Sequence, residues 1–442
     1  MNSANITMKT NKTLLSFAVA CGLATVSSTA TAAGFQLAEY SATGLGRAYA
    51  GEAAMADNAS AQWRNPAMLT YLEGTQVSVG AIYVNPNLDV DGSVDGSESL
   101  NKTLPKSSAK SSDFAHDAII PNLYISHRYS DKLAVGFALG TNYGMETELG
   151  TGFAASHFGD EASVTTVEAN LNTGYQVAET ISIGGGVRYI MGEGSFGASA
   201  PKVNAFGLDE GTPLKYMEGD DTAWGWQVGT AWQINNDHRI GFSYKSEVEL
   251  KLSGNAKILQ KQAGFPVAND KGSMDLALPQ TAELASFHQL TEQLAMHMSV
   301  NWTDWSSFKE LYADLNTLDS QTVKVENWED NYRFAVGATY QVDPKLALRT
   351  GIAYDTSAVN DKNRTITIPE TDRTWLSLGA SYDVTTQFTL DGGFTYIIAK
   401  DAPITESRGY ASDDAAQAVG GKFVGETTGN VWLIGVQANY RF

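Results

Sequence analysis

The sequence predicts an all-β fold: a transmembrane antiparallel β-barrel of about fourteen strands with an amino-terminal hatch plugging the lumen. Three observations predict it. Runs of about ten residues or more alternate apolar with small or polar side chains from Gly74 to the carboxyl terminus. Short polar turns alternate with long Gly-rich loops, and a compact stretch of small residues, Gly34 to Gly74, precedes the first strand.

Residues 1–32 read as a secretory signal peptide: Lys9 and Lys12 give a positive start, Leu14 to Val26 an apolar core, and Ala30-Thr31-Ala32 a small-residue cleavage site. The apolar run is too short to span a bilayer as a helix. The mature chain is expected to begin at Ala33, and because the only cysteine, Cys21, lies in the leader, it is expected to be cysteine-free. The chain carries 30 basic and 49 acidic side chains, and loss of Lys9 and Lys12 makes the balance more acidic still. Such a surface repels nucleic acid. With 43% hydrophobic residues it is no disordered acidic chain either.

Residues 75–442 form the predicted barrel. Tyr332, Phe334, Val336, Ala338 and Tyr340 share one face against Arg333, Ala335, Gly337, Thr339 and Gln341. The same period of two runs through Leu346 to Asp355, Phe388 to Tyr396 and Trp432 to Phe442. Short turns fall near Ser130-Asp131-Lys132, Ala178-Glu179-Thr180, Asn235-Asn236-Asp237, Thr291-Glu292-Gln293, Asp343-Pro344-Lys345 and Thr385-Thr386. Long polar loops, such as Asn85 to Ala118 and Ala399 to Val424, separate these hairpins. Short turns at one end and long loops at the other describe a bacterial outer-membrane barrel. A soluble sandwich has shorter strands, usually of about five or six residues. Trp224, Trp226, Trp232, Trp302, Trp305 and Trp375 fall near strand ends and are expected to form interfacial girdles. Tyr440-Arg441-Phe442 has the aromatic end by which such barrels address their assembly machinery.

A barrel of this size has a lumen too wide for its own side chains to fill. Residues 33–74 precede the first strand and are expected to fold into that lumen as a hatch. A short helix over Ala53 to Trp63, broken by Pro66, is expected within it.

The segment GFQLAEYSATGLGRAYAGEAAMADNAS, followed by Asn65-Pro66-Ala67, resembles the hatch of the outer-membrane long-chain fatty-acid transporter family (FadL type). The likeness continues through Pro121 to Tyr124, Tyr143-Gly144, Trp302 to Trp305, Leu348 to Asp355 and Ile368 to Ser377, and covers nearly the whole mature chain. It implies transport without a cofactor. A long-chain fatty acid or other small lipophile lands in a groove between extracellular loops, moves to a deep pocket at the hatch terminus, and leaves sideways into the outer-membrane lipids through a kinked third strand. By that resemblance Phe35 lines the pocket, Asn65, Pro66 and Ala67 hold the hatch, Gly140 and Gly144 flank the lateral gate, and Lys324, at the start of a strand from Val323 to Tyr340, meets the ligand carboxylate. The family's second cation, an arginine at the upper end of the strand Ile181 to Gly192, is not matched; Ser195 to Ser199 stand there, with Lys202 beyond. Sideways exit suits an acyl chain, since each buried CH₂ is worth about 0.8 kcal/mol.

Other motifs carry less. Gly192 to Gly197 spells GxGxxG, but Pro201 and scattered glycines follow where a dinucleotide site needs a helix. Gly44-Leu45-Gly46 lacks a preceding strand and a P-loop lysine. Asp89, Asp91, Asp95 and Glu98 do not have EF-hand spacing. His116, His127, His157, His238, His288 and His297 are scattered, with no metal pair such as HExxH and no GxSxG elbow, which argues against the rival reading as a lipid hydrolase. The other rival, a porin for polar solutes, has no use for a plug.

Overall fold

A computed structural model describes residues 34–150, 152–260 and 264–442; the signal-peptide reading, with Lys9, Lys12, Cys21 and Ala33, lies outside them. Fourteen antiparallel strands close into one barrel. In chain order these are β1 (Thr75–Asp95), β2 (Ala118–Arg128), β3 (Leu133–Gly140 and Gly144–Glu148), β4 (Glu161–Ala178), β5 (Ile181–Ser199), β6 (Pro213–Asn235) and β7 (His238–Lys245 and Val248–Leu259). There follow β8 (Val267–Leu278 and Thr281–Gln289), β9 (Leu294–Thr303 and Glu310–Leu315), β10 (Gln321–Val325 and Asn331–Gln341), β11 (Leu346–Asp355), β12 (Arg373–Asp383), β13 (Phe388–Ala399) and β14 (Lys422–Arg441). The seam closes where β1 pairs with β14, from Gln76 opposite Arg441 to Asp95 opposite Lys422. All the short turns named from the sequence join neighbouring strands at the end of the barrel where the chain leaves the hatch.

Alternation explains the two faces. On β10, Tyr332, Phe334 and Val336 are exposed to the bilayer, while Arg333 and Ala335 are buried in the lumen. Trp224, Trp226 and Trp232 lie on the outer face with 69%, 49% and 52% of their surface exposed, as a girdle requires. Trp305 and Trp375 do not; both are buried in the lumen. Trp375 falls on the inward phase of β12 and donates to Asp355 at 2.8 Å, and Trp305 sits in a break of β9 that turns it inward.

The hatch fills the lumen. Its helices are short: α1 (Ala42–Leu45), a 3₁₀ turn at Glu52–Ala54, α2 (Ala61–Arg64) and a 3₁₀ segment at Pro66–Tyr71. The single helix expected over Ala53 to Trp63 is therefore divided, with extended backbone at Met55 and Asn58 bonding the Ser60 N–H and hydroxyl. Pro66 occupies the first position of a new 3₁₀ turn, where its missing N–H costs nothing. Wall side chains satisfy the hatch carbonyls that helices would otherwise satisfy. Arg333 donates to Ala48 O at 2.7 Å, Arg239 to Ala54 O at 2.9 Å and Arg128 to Thr70 O at 2.9 Å.

Lumen-facing glycines let the two bodies meet. A methyl group on Gly184, Gly229, Gly241, Gly351 or Gly379 would collide with Ala67, Asn65, the Ala53 carbonyl, the Arg47 carbonyl or Gly46 respectively. These glycines lie on β5, β6, β7, β11 and β12, a partial ring at hatch height.

Candidate functional site

Three strand irregularities deliver aromatic rings to one place in the lumen. In β9, the residues between Thr303 and Glu310 leave the ladder and carry Trp305 and Phe308. The strand expected from Val323 to Tyr340 is interrupted between Val325 and Asn331, and that interruption carries Trp328. Across the barrel, β3 breaks over Thr141 to Tyr143. Phe35 occupies the space between them, with its ring centroid 4.6 Å from Trp305, 5.6 Å from Phe308, 6.1 Å from Trp328 and 6.1 Å from Tyr143. All five rings are buried. Gly34 must be glycine here: its φ is +63°, and a Cβ would strike both indoles. Edge-to-face contacts of this kind add about 0.5–1.5 kcal/mol per pair beyond area burial.

The irregularity in β3 is a bulge that interrupts its ladder to β2. Against β4, Gly140 pairs with Glu168 and Gly144 with Thr165, so Thr141, Asn142 and Tyr143 face only Thr166 and Val167. Against β2, the ladder ends at Leu123 opposite Leu139 and resumes only at an isolated bridge, Ala115 to Thr147. Ala118 to Asn122 thus lack partners on that side, which suits Pro121, a residue with no N–H to give. The hatch takes over what β2 releases: Leu37 N donates to Asn142 O at 2.7 Å, and Gly144 N donates to Phe35 O at 2.8 Å.

A polar cluster holds the bulge from behind. Asn142 donates to Glu168 at 2.5 Å, and Arg188 grips the same carboxylate through Nε and Nη2 at 2.8 Å each. Lys245 donates to the side-chain Oδ1 of Asn142 at 3.3 Å. The Thr166 hydroxyl accepts from Tyr143 N at 3.2 Å and donates to Tyr143 O at 2.7 Å. Sequence reasoning missed Glu168, Arg188 and Lys245; the available signal was full charge in the middle of long alternating strands.

The remaining expected residues take these positions. Asn65 is wholly buried and donates to Ala53 O at 2.6 Å and to Thr230 O of β6 at 3.0 Å, while accepting from Ala67 N at 2.9 Å. Pro66 and Ala67 pack beside it against Gly184. Lys324, expected to meet a ligand carboxylate, is buried: its ammonium lies 3.1 Å from Glu406 and 3.9 Å from Asp413, and donates to Phe158 O at 3.1 Å. Lys202 lies in an outer groove lined by Val94, Pro105, Ala154, Pro201 and Val203.

Acidic groups gather at the hatch terminus. Glu39 is buried with Oε2 unpartnered, and burial raises its carboxyl from the usual 4.5 to about 7. Burial likewise raises Glu370 to about 7, although Arg373 and the Gly34 N–H favour its charge. Gly192 to Gly197 lies within β5, without a helix after it. Asp91 is paired with Lys110 at 2.6 Å, and Asp95 caps Ser97 at 3.1 Å. His238 and His288, distant in sequence, meet Nδ1 to Nδ1 at 3.0 Å on neighbouring strands.

Residues 23–442 match the family model described as outer membrane protein transport protein (OMPP1/FadL/TodX). The chain is 36% identical to a 47 kDa outer membrane protein of Pasteurella multocida (strain Pm70), covering 99% of each chain. It is 31% identical to the long-chain fatty acid transport protein of Escherichia coli (strain K12), covering 96% of this chain and 98% of that one. Among solved structures, a Pseudomonas aeruginosa FadL homologue superposes with a TM-score of 0.79 at 21% identity, over 93% of this chain and 100% of that one. The Pseudomonas putida toluene transporter TodX gives a TM-score of 0.65 at 14% identity, over 86% and 94% of the chains. These two likenesses concern the fold.

Proposed function

The chain belongs to the OMPP1/FadL/TodX family of outer-membrane transport proteins, and from that premise we propose how it moves its cargo. The cargo is a long-chain fatty acid or a related hydrophobic compound, taken up without a catalytic step. It is captured in the outer groove around Lys202, whose apolar walls suit an acyl chain. It then displaces Phe35 from the aromatic box, and the displaced terminus releases Asn142 and Gly144. The gap between β2 and β3, flanked by Gly140 and Gly144, gives the cargo a way into the bilayer that avoids the wet periplasmic side.

One observation carries this reading: the hatch terminus that fills the box also makes the hydrogen bonds missing from the wall at the bulge. Ligand entry and wall opening then compete for the same residues, Phe35 to Leu37.

Deletion of Thr141 tests it. With two residues facing two, β3 can resume the ladder to β2. Cells expressing the variant are expected to accumulate labelled oleate and toluene at least about tenfold more slowly, while the purified variant binds lipophiles normally. Normal uptake by a folded Thr141-deleted chain would sink the lateral route.

A further inference from the structure

Two of the cations near the β3 bulge already hold a carboxylate. Arg188 grips Glu168 at both oxygens, 2.8 Å each, and Arg64 lies 3.0 Å from Glu283. Both acids are committed further: Glu168 accepts from Asn142 at 2.5 Å, and Glu283 accepts from Ala53 N at 2.9 Å and from Asn301 at 2.8 Å. Lys245 of β7 shares these surroundings with only 5% of its surface exposed, and among the described residues it has no ion-pair partner. An ammonium carries three donors. This one reaches the neutral Asn142 Oδ1 at 3.3 Å and lies 4.5 Å from the centre of the Trp63 ring. Lys324 shows the contrast, with Glu406 at 3.1 Å and Asp413 at 3.9 Å. A buried ammonium held so loosely keeps most of its desolvation cost, which an anion would offset.

The position of Lys245 ties it to the gap in the wall. Trp63 packs against Gly140, where the β3 ladder breaks; a Cβ on that glycine would lie 3.2 Å from the indole. Thr281, directly opposite Lys245 on β8, lines a cavity that the hatch terminus bounds with Gln36 and Leu37. The one acceptor of Lys245 belongs to Asn142, the residue whose carbonyl receives the Leu37 N–H. Ammonium, bulge and hatch terminus thus meet through a single side chain.

We propose that Lys245 is the specificity-determining cation of the exit step, taking the carboxylate of a long-chain fatty acid as the hatch terminus withdraws from the bulge. The proposal rests on the transport reading above and assigns the residue that recognises the head group there. Lys245 exchanges a long bond to a neutral amide for a charge-assisted one. With the head held beside β7 and Trp63, the acyl chain faces Gly140 and enters the bilayer tail first, where burial of its length favours the rest of the passage. An uncharged lipophile takes the same gap without stopping at Lys245.

Uptake of labelled oleate and of its uncharged methyl ester, by cells in which the full-length protein is the only transporter of this kind, tests the proposal. Lys245→Met keeps a stem to pack on Trp63 and removes the charge. It is expected to slow oleate about tenfold while the ester enters at the native rate. Lys245→Arg restores a cation and is expected to bring oleate back to within about threefold of native. Gln227→Glu, opposite Lys245 on β6, supplies a carboxylate from the chain itself and is expected to slow oleate selectively even if Lys245→Met does not fold. Equal losses of oleate and ester in a folded Lys245→Met, or no loss of oleate, overturn the proposal. So does a Lys245→Arg as slow with oleate as Lys245→Met, or a folded Gln227→Glu with unchanged oleate uptake. If the unaltered protein takes up neither compound, the transport reading itself falls, and the role of Lys245 with it.

Discussion

At the scale of single residues, two carboxyls decide how firmly the hatch terminus sits. Glu39 and Glu370 are both raised from 4.5 to about 7 by burial, so the folded state holds protons that the unfolded state has lost between those values. Their contribution is complete below about pH 4.5, declines as pH rises towards 7, and is constant above that. It amounts to something on the order of 1 to 3 kcal/mol for each group. A spin label at Gln36→Cys, with the chain's one cysteine replaced by Cys21→Ser, is expected to become more mobile from pH 5 to pH 8. Adding Glu39→Gln and Glu370→Gln is expected to flatten that profile. A label whose mobility is the same at both pH values in the unaltered background would remove the role of these carboxyls.

Among the elements, the hatch is tied to the wall by side chains such as Asn65, which donates to Thr230 O of β6. Asn65→Ala deletes two donated bonds and one accepted bond in a fully buried setting, a loss of about 1 to 3 kcal/mol. The barrel is expected to survive while the hatch loosens, giving flickering conductance in planar bilayers; steady, low conductance would show that other contacts suffice. The strands and turns around this hatch were legible because period-two alternation and polar turns are local properties of the chain. The interruption within Val323 to Tyr340 was not legible, because Trp328 leaves the ladder to meet Phe35 and Trp305, a demand set by distant residues. The ion pairs of Lys324 were not legible for the same reason: its partners Glu406 and Asp413 lie in another loop. The bulge at Thr141 to Tyr143 was half visible, since Gly140 and Gly144 mark it, but its coupling to Leu37 needed three dimensions.

For the whole molecule, the closed seam between β1 and β14 predicts a barrel that resists detergent. Unheated protein is expected to run faster on a gel than boiled protein, with a β-rich circular dichroism spectrum; a helical spectrum would contradict the fold. Removing residues 34–72 is expected to leave a folded barrel that conducts ions freely, and low conductance from that barrel would show that the wall and loops alone can close it. The lumen glycines then acquire a second meaning. Gly184, Gly229, Gly241, Gly351 and Gly379 project nothing into the space the hatch vacates, so the emptied barrel is expected to be wide beside these five positions. Blocking polymers of graded size would therefore be stopped at some other level of the tube, and refilling that bore with valines at these five positions is expected to narrow the current without restoring selectivity.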